Sequence, residues 1–134
     1  AEPLYRTDFG LSDLPRIRQA VAGCATAQHV APPRVDDLVL VANELACNSI
    51  KHGGGSGTLC MWHDGGELVC EVHDRGLITD PLVGRRKPNP EGGGGAGLWI
   101  ANLLCDLVQI RSTPQTGTTV RVHVEASGNQ NSTF

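Results

Sequence analysis

The chain has 134 residues, a formal net charge of −3, 17 glycines and five cysteines. This length suits one compact domain with a real core. The slight acidity argues against nucleic acid as a partner, and no apolar run approaches the roughly 20 residues of a membrane span. Five cysteines in mostly apolar surroundings indicate reduced, buried thiols in a cytoplasmic protein rather than a disulfide framework.

The first half of the chain has the pattern of one strand and two helices. Residues 4–9 alternate weakly between apolar and polar side chains, as in an edge strand. Ser12 is a good N-cap for a helix that runs to about residue 29. Pro32-Pro33 then breaks the chain. A second helix follows, acidic at its start, and ends at the three glycines 53–55.

The second half predicts four strands, a long loop and a third helix. Residues 58–63 and 67–73 are strands joined by Asp64-Gly65-Gly66, which is a strong hairpin signal. Residues 76–95 form a long loop rich in proline, glycine and basic residues, and helical spacing resumes over residues 97–107. The last two strands cover residues 107–112 and 118–125. This order favours an α+β fold, a two-layer α/β sandwich with helices on one face of a mostly antiparallel sheet.

The second predicted helix carries a polar edge on an otherwise apolar surface. Glu44, Asn48 and the pair Lys51-His52 recur at helical spacing and share that edge. Burying a carboxylate and a carboxamide without partners is costly, so we expect the edge to face a ligand, a metal ion or ordered water. The alternative is a structural hydrogen-bond network or a solvated edge.

The glycine run from Gly92 to Gly97 is, by its residue pattern alone, only weak evidence for a nucleotide-binding motif. It matches GxGxxG, but a dinucleotide fold needs a strand directly before the glycines, and Pro88-Asn89-Pro90-Glu91 stands there. It also fails as a P-loop, because Leu98-Trp99 follows in place of lysine and serine or threonine. The pattern still predicts a glycine-rich loop that leads into a helix N-terminus, where free backbone N–H groups can bind a phosphate. A flexible linker is the alternative.

Two shorter segments, Asp74-Arg75-Gly76 and Gly117-Thr118, are candidates for binding a ligand. A carboxylate at the end of a strand can accept a hydrogen bond from an exocyclic amine, and Gly76 lets a flat ring approach the backbone. An ordinary strand-end aspartate in a turn is the alternative. Gly117-Thr118 is a modest signal by itself, because threonine favours strands in any case.

Taken in order, four short boxes resemble the GHKL (Bergerat-fold) ATPases, and among these the anti-sigma-factor serine/threonine kinases of actinobacteria. The boxes are Glu44-x-x-x-Asn48-x-x-x-His52-Gly53, Asp74-x-Gly76, Gly95-x-Gly97-Leu98 and Gly117-Thr118. The resemblance spans residues 4–125. It implies a histidine-kinase-like ATPase domain over residues 1–126, with an ATP lid at about 77–95, and a polar tail over 127–134.

The resemblance also implies a role for the residues at the adenine and metal ends of the site. Asn48 would coordinate Mg²⁺, which bridges the phosphates of ATP. Asp74 would accept a hydrogen bond from the adenine N6 amine, with Thr118 supporting it through water and Gly76 giving the ring room.

At the phosphate end, Gly95, Gly97 and Leu98 would present backbone N–H groups to the nucleotide. Glu44 would act as the general base that deprotonates a serine or threonine hydroxyl of a partner protein as it attacks the γ-phosphate. His52 would cap or pack rather than react.

By this resemblance the chain is an ATP-binding anti-sigma regulatory factor. It would phosphorylate an anti-anti-sigma (STAS) partner, sequester a sigma factor and form a homodimer. Two departures from the family pattern, Ile78 in place of a glycine and Gly93-Gly94 in place of an arginine, motivate an alternative. The alternative is a catalytically weak nucleotide-binding module for regulated protein–protein interaction, or the output domain of a larger sensor protein.

Overall fold

The computed structural model describes residues 2–77 and 96–126, apart from the side chain of Ala96. The elements of these ranges are β1 (Tyr5–Phe9), a 3₁₀ turn (Leu11–Asp13), α1 (Leu14–Ala27), α2 (Pro32–His52), β2 (Gly57–Asp64), β3 (Glu67–Asp74), α3 (Ala96–Leu104), β4 (Leu107–Thr113) and β5 (Gly117–Glu125). Within this part of the chain, no helix is long and apolar enough to cross a membrane.

The strands form one sheet in the order β1-β2-β3-β5-β4, and every neighbouring pair is antiparallel. Apolar side chains at alternate strand positions pack against the buried faces of α1 and α2 to form the core. The core includes Ile17, Val21, Leu38, Val41, Leu45, Leu59, Met61, Leu68, Val72, Val122 and Val124. The predicted α+β fold, with helices on an antiparallel sheet, is confirmed.

The strand register decides which residues meet at the end of the sheet. Asp74, the last residue of β3, pairs with Thr118 near the start of β5. On the other side of β5, Ser112 of β4 pairs with the same threonine. The hairpin predicted at Asp64-Gly65-Gly66 is present, and Gly65 adopts the left-handed conformation (φ 63°) that such a turn requires.

Two predicted helix starts were wrong. Ser12 lies inside the 3₁₀ turn, and α1 begins only at Leu14. The side chain that hydrogen-bonds to the backbone of this turn is Asp13, whose Oδ2 accepts the Gly10 N–H at 2.8 Å. Pro32-Pro33 does not precede α2 but forms its first turn. A proline is tolerated there, because the N–H groups of the first turn have no partner within the helix.

The cysteines in the structure are free thiols. Cys70 is fully buried, and burial raises the pKa of its thiol far above the ordinary value. Burial also raises the pKa of Cys105, to about 12. Both thiols therefore stay protonated at neutral pH, and a protonated thiol is a poor nucleophile.

Candidate functional site

The carboxylate of Asp74 is held in one orientation where the end of α2 meets the end of β3. Its Oδ2 accepts a hydrogen bond from the Ser49 hydroxyl at 2.7 Å, and its Oδ1 accepts the Gly76 N–H at 2.7 Å. Ser49 is only 1% exposed. Since an ionised carboxylate offers about four lone-pair positions, about two stay available to a ligand.

Thr118 completes this group from β5 and is itself buried. Its hydroxyl donates to the Gly76 carbonyl at 2.8 Å, while Asp74 accepts the N–H of the same glycine. The Ser112 hydroxyl lies 2.6 Å from Thr118 Oγ1. The single proton of Thr118 is used on Gly76, so Ser112 is the donor in that contact. We call Ser49, Asp74, Gly76 and Thr118 the Asp74 cluster.

Three glycines within and around the Asp74 cluster occupy positions where an added side chain would clash. A Cβ atom on Gly53 would lie 2.3 Å from Asp74 Cγ, and one on Gly76 would lie 2.6 Å from the His52 carbonyl oxygen. Gly117 has a φ of +83°, and its Cβ would lie 2.1 Å from the Asp74 carbonyl oxygen. A side chain is therefore disfavoured at Gly53 by the Asp74 carboxylate, and at Gly76 and Gly117 by backbone oxygen atoms.

The polar edge of α2 leads toward this cluster. Glu44 and Asn48 are half-buried and lie about one helical turn apart, whereas Lys51 and His52 are exposed at the end of the helix. Across residues 2–77 and 96–126, neither Glu44 nor Asn48 forms a side-chain hydrogen bond or ion pair. A half-buried carboxylate and carboxamide are therefore available to an external group.

A metal ion at this edge would need ligands beyond the residues that the structure describes. The described part of the chain contains no group of three or more His, Cys, Asp or Glu side chains that could hold a metal by themselves. Mg²⁺ does not require such a cage, because it is often bound through one or two protein oxygens together with water and substrate phosphates. The Asn48 amide oxygen suits that kind of ligation.

The first turn of α3 contains Gly97 and Leu98, and Leu98 is buried. The first N–H groups of a helix have no intrahelical partner and can bind an anion. Two predicted segments lie outside the described residues: the lid beyond Leu77, which includes Gly95, and the tail 127–134.

Ser49 and Ser112 were missed by the sequence analysis. The buried stripe of α2 includes Leu45 and Ala46 and continues to Ser49. A hydroxyl on an apolar stripe needs a buried partner, and that signal could have identified Ser49. Ser112 could not have been found this way, because its role depends on the pairing of β4 with β5.

Ser49→Ala is expected to lower the free energy of unfolding by about 1–3 kcal/mol, because it leaves one oxygen of Asp74 without its donor. Urea unfolding followed by circular dichroism measures this change. Ser56→Ala, at an exposed serine just after α2, is the matched control. Equal stability of the two variants would show that the Ser49–Asp74 hydrogen bond contributes nothing.

An antiparallel sheet with helices on one face, and a strand-end aspartate set among glycines, define the class of GHKL-type ATP-binding domains. Residues 10–124 match the histidine kinase-like ATPase domain. The chain therefore belongs to the histidine kinase-like ATPase family.

Solved structures agree with this fold. The chain is similar to the histidine kinase AdeS of Acinetobacter baumannii, with 12% identity, a TM-score of 0.55, and coverage of 94% of this chain and 70% of that one. It is also similar to the NMR structure of the histidine kinase domain of the E. coli osmosensor EnvZ, with 15% identity, a TM-score of 0.51, and coverage of 94% and 91%. At such identities the likeness establishes the fold alone. No curated protein matches the chain.

Proposed function

We propose that this chain binds ATP with Mg²⁺ and acts as a serine/threonine protein kinase of the anti-sigma-factor type. Its substrate would be a STAS-domain anti-anti-sigma protein, and its second partner a sigma factor that it sequesters. Three neighbouring side chains on α2 support this function most directly. Glu44 and Asn48 are half-buried without partners in the described chain, and Ser49, next to Asn48, holds the Asp74 carboxylate.

Asp74 is the residue proposed to recognise adenine. Its two fixed hydrogen bonds hold the carboxylate, and the remaining lone pairs can accept the N6 amine. We expect the adenine ring to stack on the backbone of Gly76, because this residue has no side chain and its N–H and carbonyl groups are both already hydrogen-bonded. A base that stacked there would leave no peptide group unsatisfied.

Asn48 is the proposed metal ligand, and the N–H groups of Gly97 and Leu98 are the proposed phosphate donors. Gly95 joins them in the proposal, although it lies outside the described residues. Mg²⁺, when bound, would neutralise charge that develops between the β- and γ-phosphates. The amide oxygen of Asn48 would hold the ion at the end of α2 that also carries the Asp74 cluster.

Glu44 is the proposed general base. It would take the proton from a serine or threonine hydroxyl of the STAS partner as that oxygen attacks the γ-phosphorus. The bond from the γ-phosphorus to the bridging oxygen breaks, and ADP carries away the electron pair. A carboxylate without an ion-pair partner in the described chain is free to accept that proton.

A second candidate is a nucleotide-gated binding module without chemistry. The four consecutive glycines 92–95 favour it, because ordering glycine residues costs more conformational entropy than ordering any other residue. A lid of that composition would close rarely, and nucleotide binding would then alter partner affinity without turnover.

Transfer of radiolabel from γ-labelled ATP to a STAS-domain protein tests the kinase proposal. We expect Mg²⁺-dependent transfer to one serine or threonine of the partner. ATP binding without transfer, together with nucleotide-dependent partner capture, would support the binding module instead. Analytical sedimentation of the same protein tests the proposed homodimer. The proposed partners also imply that the protein acts in the cytoplasm.

A further inference from the structure

The C-terminal end of α3 is tied to the start of α2 by the side chain of Arg34. One nitrogen of its guanidinium donates to the carbonyl oxygen of Leu104, the last residue of α3, and also contacts Asp37 Oδ2 at 3.2 Å. Another donates to Asp106 Oδ1 at 2.9 Å. The three acceptors come from two segments about 70 residues apart in the chain.

Asp106 extends this connection to the sheet. Its Oδ2 accepts the Glu125 N–H at 2.8 Å, and its own N–H donates to the His123 carbonyl at 2.9 Å. Arg34 and Asp106 thus join the end of α3 to both α2 and β5. We call this pair the α3 clamp.

α3 is a short helix that is only partly buried. It is nine residues long, and among its described side chains only Leu98 and Ala101 are buried, whereas Leu103 is 63% exposed. Helices this short are marginal in water and depend on tertiary contacts. Arg34 also places a positive charge at the helix C-terminus, where the last carbonyls lack partners and the dipole is negative.

We propose that Arg34 is a positioning residue for nucleotide binding, an inference that depends on the proposed function. By holding the C-terminal end of α3, the clamp keeps the N–H groups of Gly97 and Leu98 directed at the phosphates. The phosphates and Arg34 stabilise the same conformation of one helix from its two ends, so each favours the other. The adenine end is built on Asp74 and does not involve the clamp.

Titrations of adenosine and of Mg·ADP into the protein separate the two ends of the site. In Arg34→Ala we expect the affinity for ADP to fall about fivefold or more, the lower range of typical coupling between sites. The affinity for adenosine should stay unchanged. Arg34→Lys should fall between the two proteins, because lysine lacks the planar fork that serves two acceptors at once.

Arg18→Ala is the matched control, since Arg18 also joins two helices through a hydrogen bond of 2.9 Å to Asn43. It should bind both ligands as the wild type does. Hydrogen exchange gives a second readout: the α3 amides should exchange faster in the Arg34 variants than in Arg18→Ala, while those of β3 and β5 stay protected. If Arg34→Ala does not fold, Arg34→Lys carries the test.

Equal ADP affinity in wild type and the Arg34 variants would overturn the inference and leave the proposed function standing. A parallel loss of adenosine and ADP affinity would also overturn it, because it would show a general structural role. A wild-type protein that binds neither ligand would instead remove the proposed function and this inference with it.

Discussion

The Glu44→Ala variant is expected to bind ATP like the wild type and to lose phosphotransfer by about 10²- to 10⁴-fold, the usual effect of removing a general base. Glu44 is half-buried on α2 and has no partner within the described chain, so its removal should cost little stability. Initial rates of transfer from γ-labelled ATP to the STAS partner, with ATP affinity measured by titration, give both quantities.

Asp36→Ala is the control for this experiment, because Asp36 is an exposed carboxylate on the same helix. It should transfer phosphate at the wild-type rate. Wild-type transfer by Glu44→Ala would rule out Glu44 as the base. An equal loss of ATP affinity and transfer would assign Glu44 to binding instead.

Gly53→Ala is expected to have the second large effect, on nucleotide affinity and on stability. The added Cβ would lie 2.3 Å from Asp74 Cγ, so either the carboxylate or the end of α2 must move. Such overpacking typically costs about 1–3 kcal/mol of stability. Movement of the carboxylate would break its bonds to Ser49 and Gly76, and ATP affinity should fall by about tenfold or more, as for a lost hydrogen bond to a charged group.

Gly23→Ala provides the matched comparison for this variant. A Cβ at Gly23 meets nothing within 4 Å, and the residue lies inside α1. Alanine there should leave ATP affinity unchanged and add up to about 1 kcal/mol of stability. If thermal unfolding and ATP titration fail to distinguish the two variants, Gly53 is not constrained by Asp74.

The sequence predicted the elements well because each has a strong local signal. Alternation of apolar residues defined β2, β3 and β5, the Asp64-Gly65-Gly66 turn joined the hairpin, and the glycines after His52 ended α2. Helix starts were less certain, because Ser12 and Pro32-Pro33 can each stand before a helix or within its first turns. In the structure Ser12 lies within a 3₁₀ turn that precedes α1, and Pro32-Pro33 lie in the first turn of α2, where proline is tolerated.

The candidate site was predicted only in part, for a physical reason. Polar residues at helical spacing, such as Glu44 and Asn48, are visible in the sequence, as is an aspartate followed by a glycine. Ser49, Ser112 and Arg34 act through contacts with residues 6 to 70 positions away in the chain. Such contacts exist only after the sheet register and the packing of α3 are set.

In the proposed function, Asp74 recognises the adenine of ATP. Titration of ATP into wild type and Asp74→Asn, each with and without Mg²⁺, tests it most directly. An asparagine has one oxygen where Ser49, Gly76 and the adenine amine all require an acceptor. We predict Mg²⁺-dependent binding by the wild type and an affinity about tenfold or more lower in Asp74→Asn, as expected for a lost charged hydrogen bond. Equal affinities of the two proteins would contradict the claim.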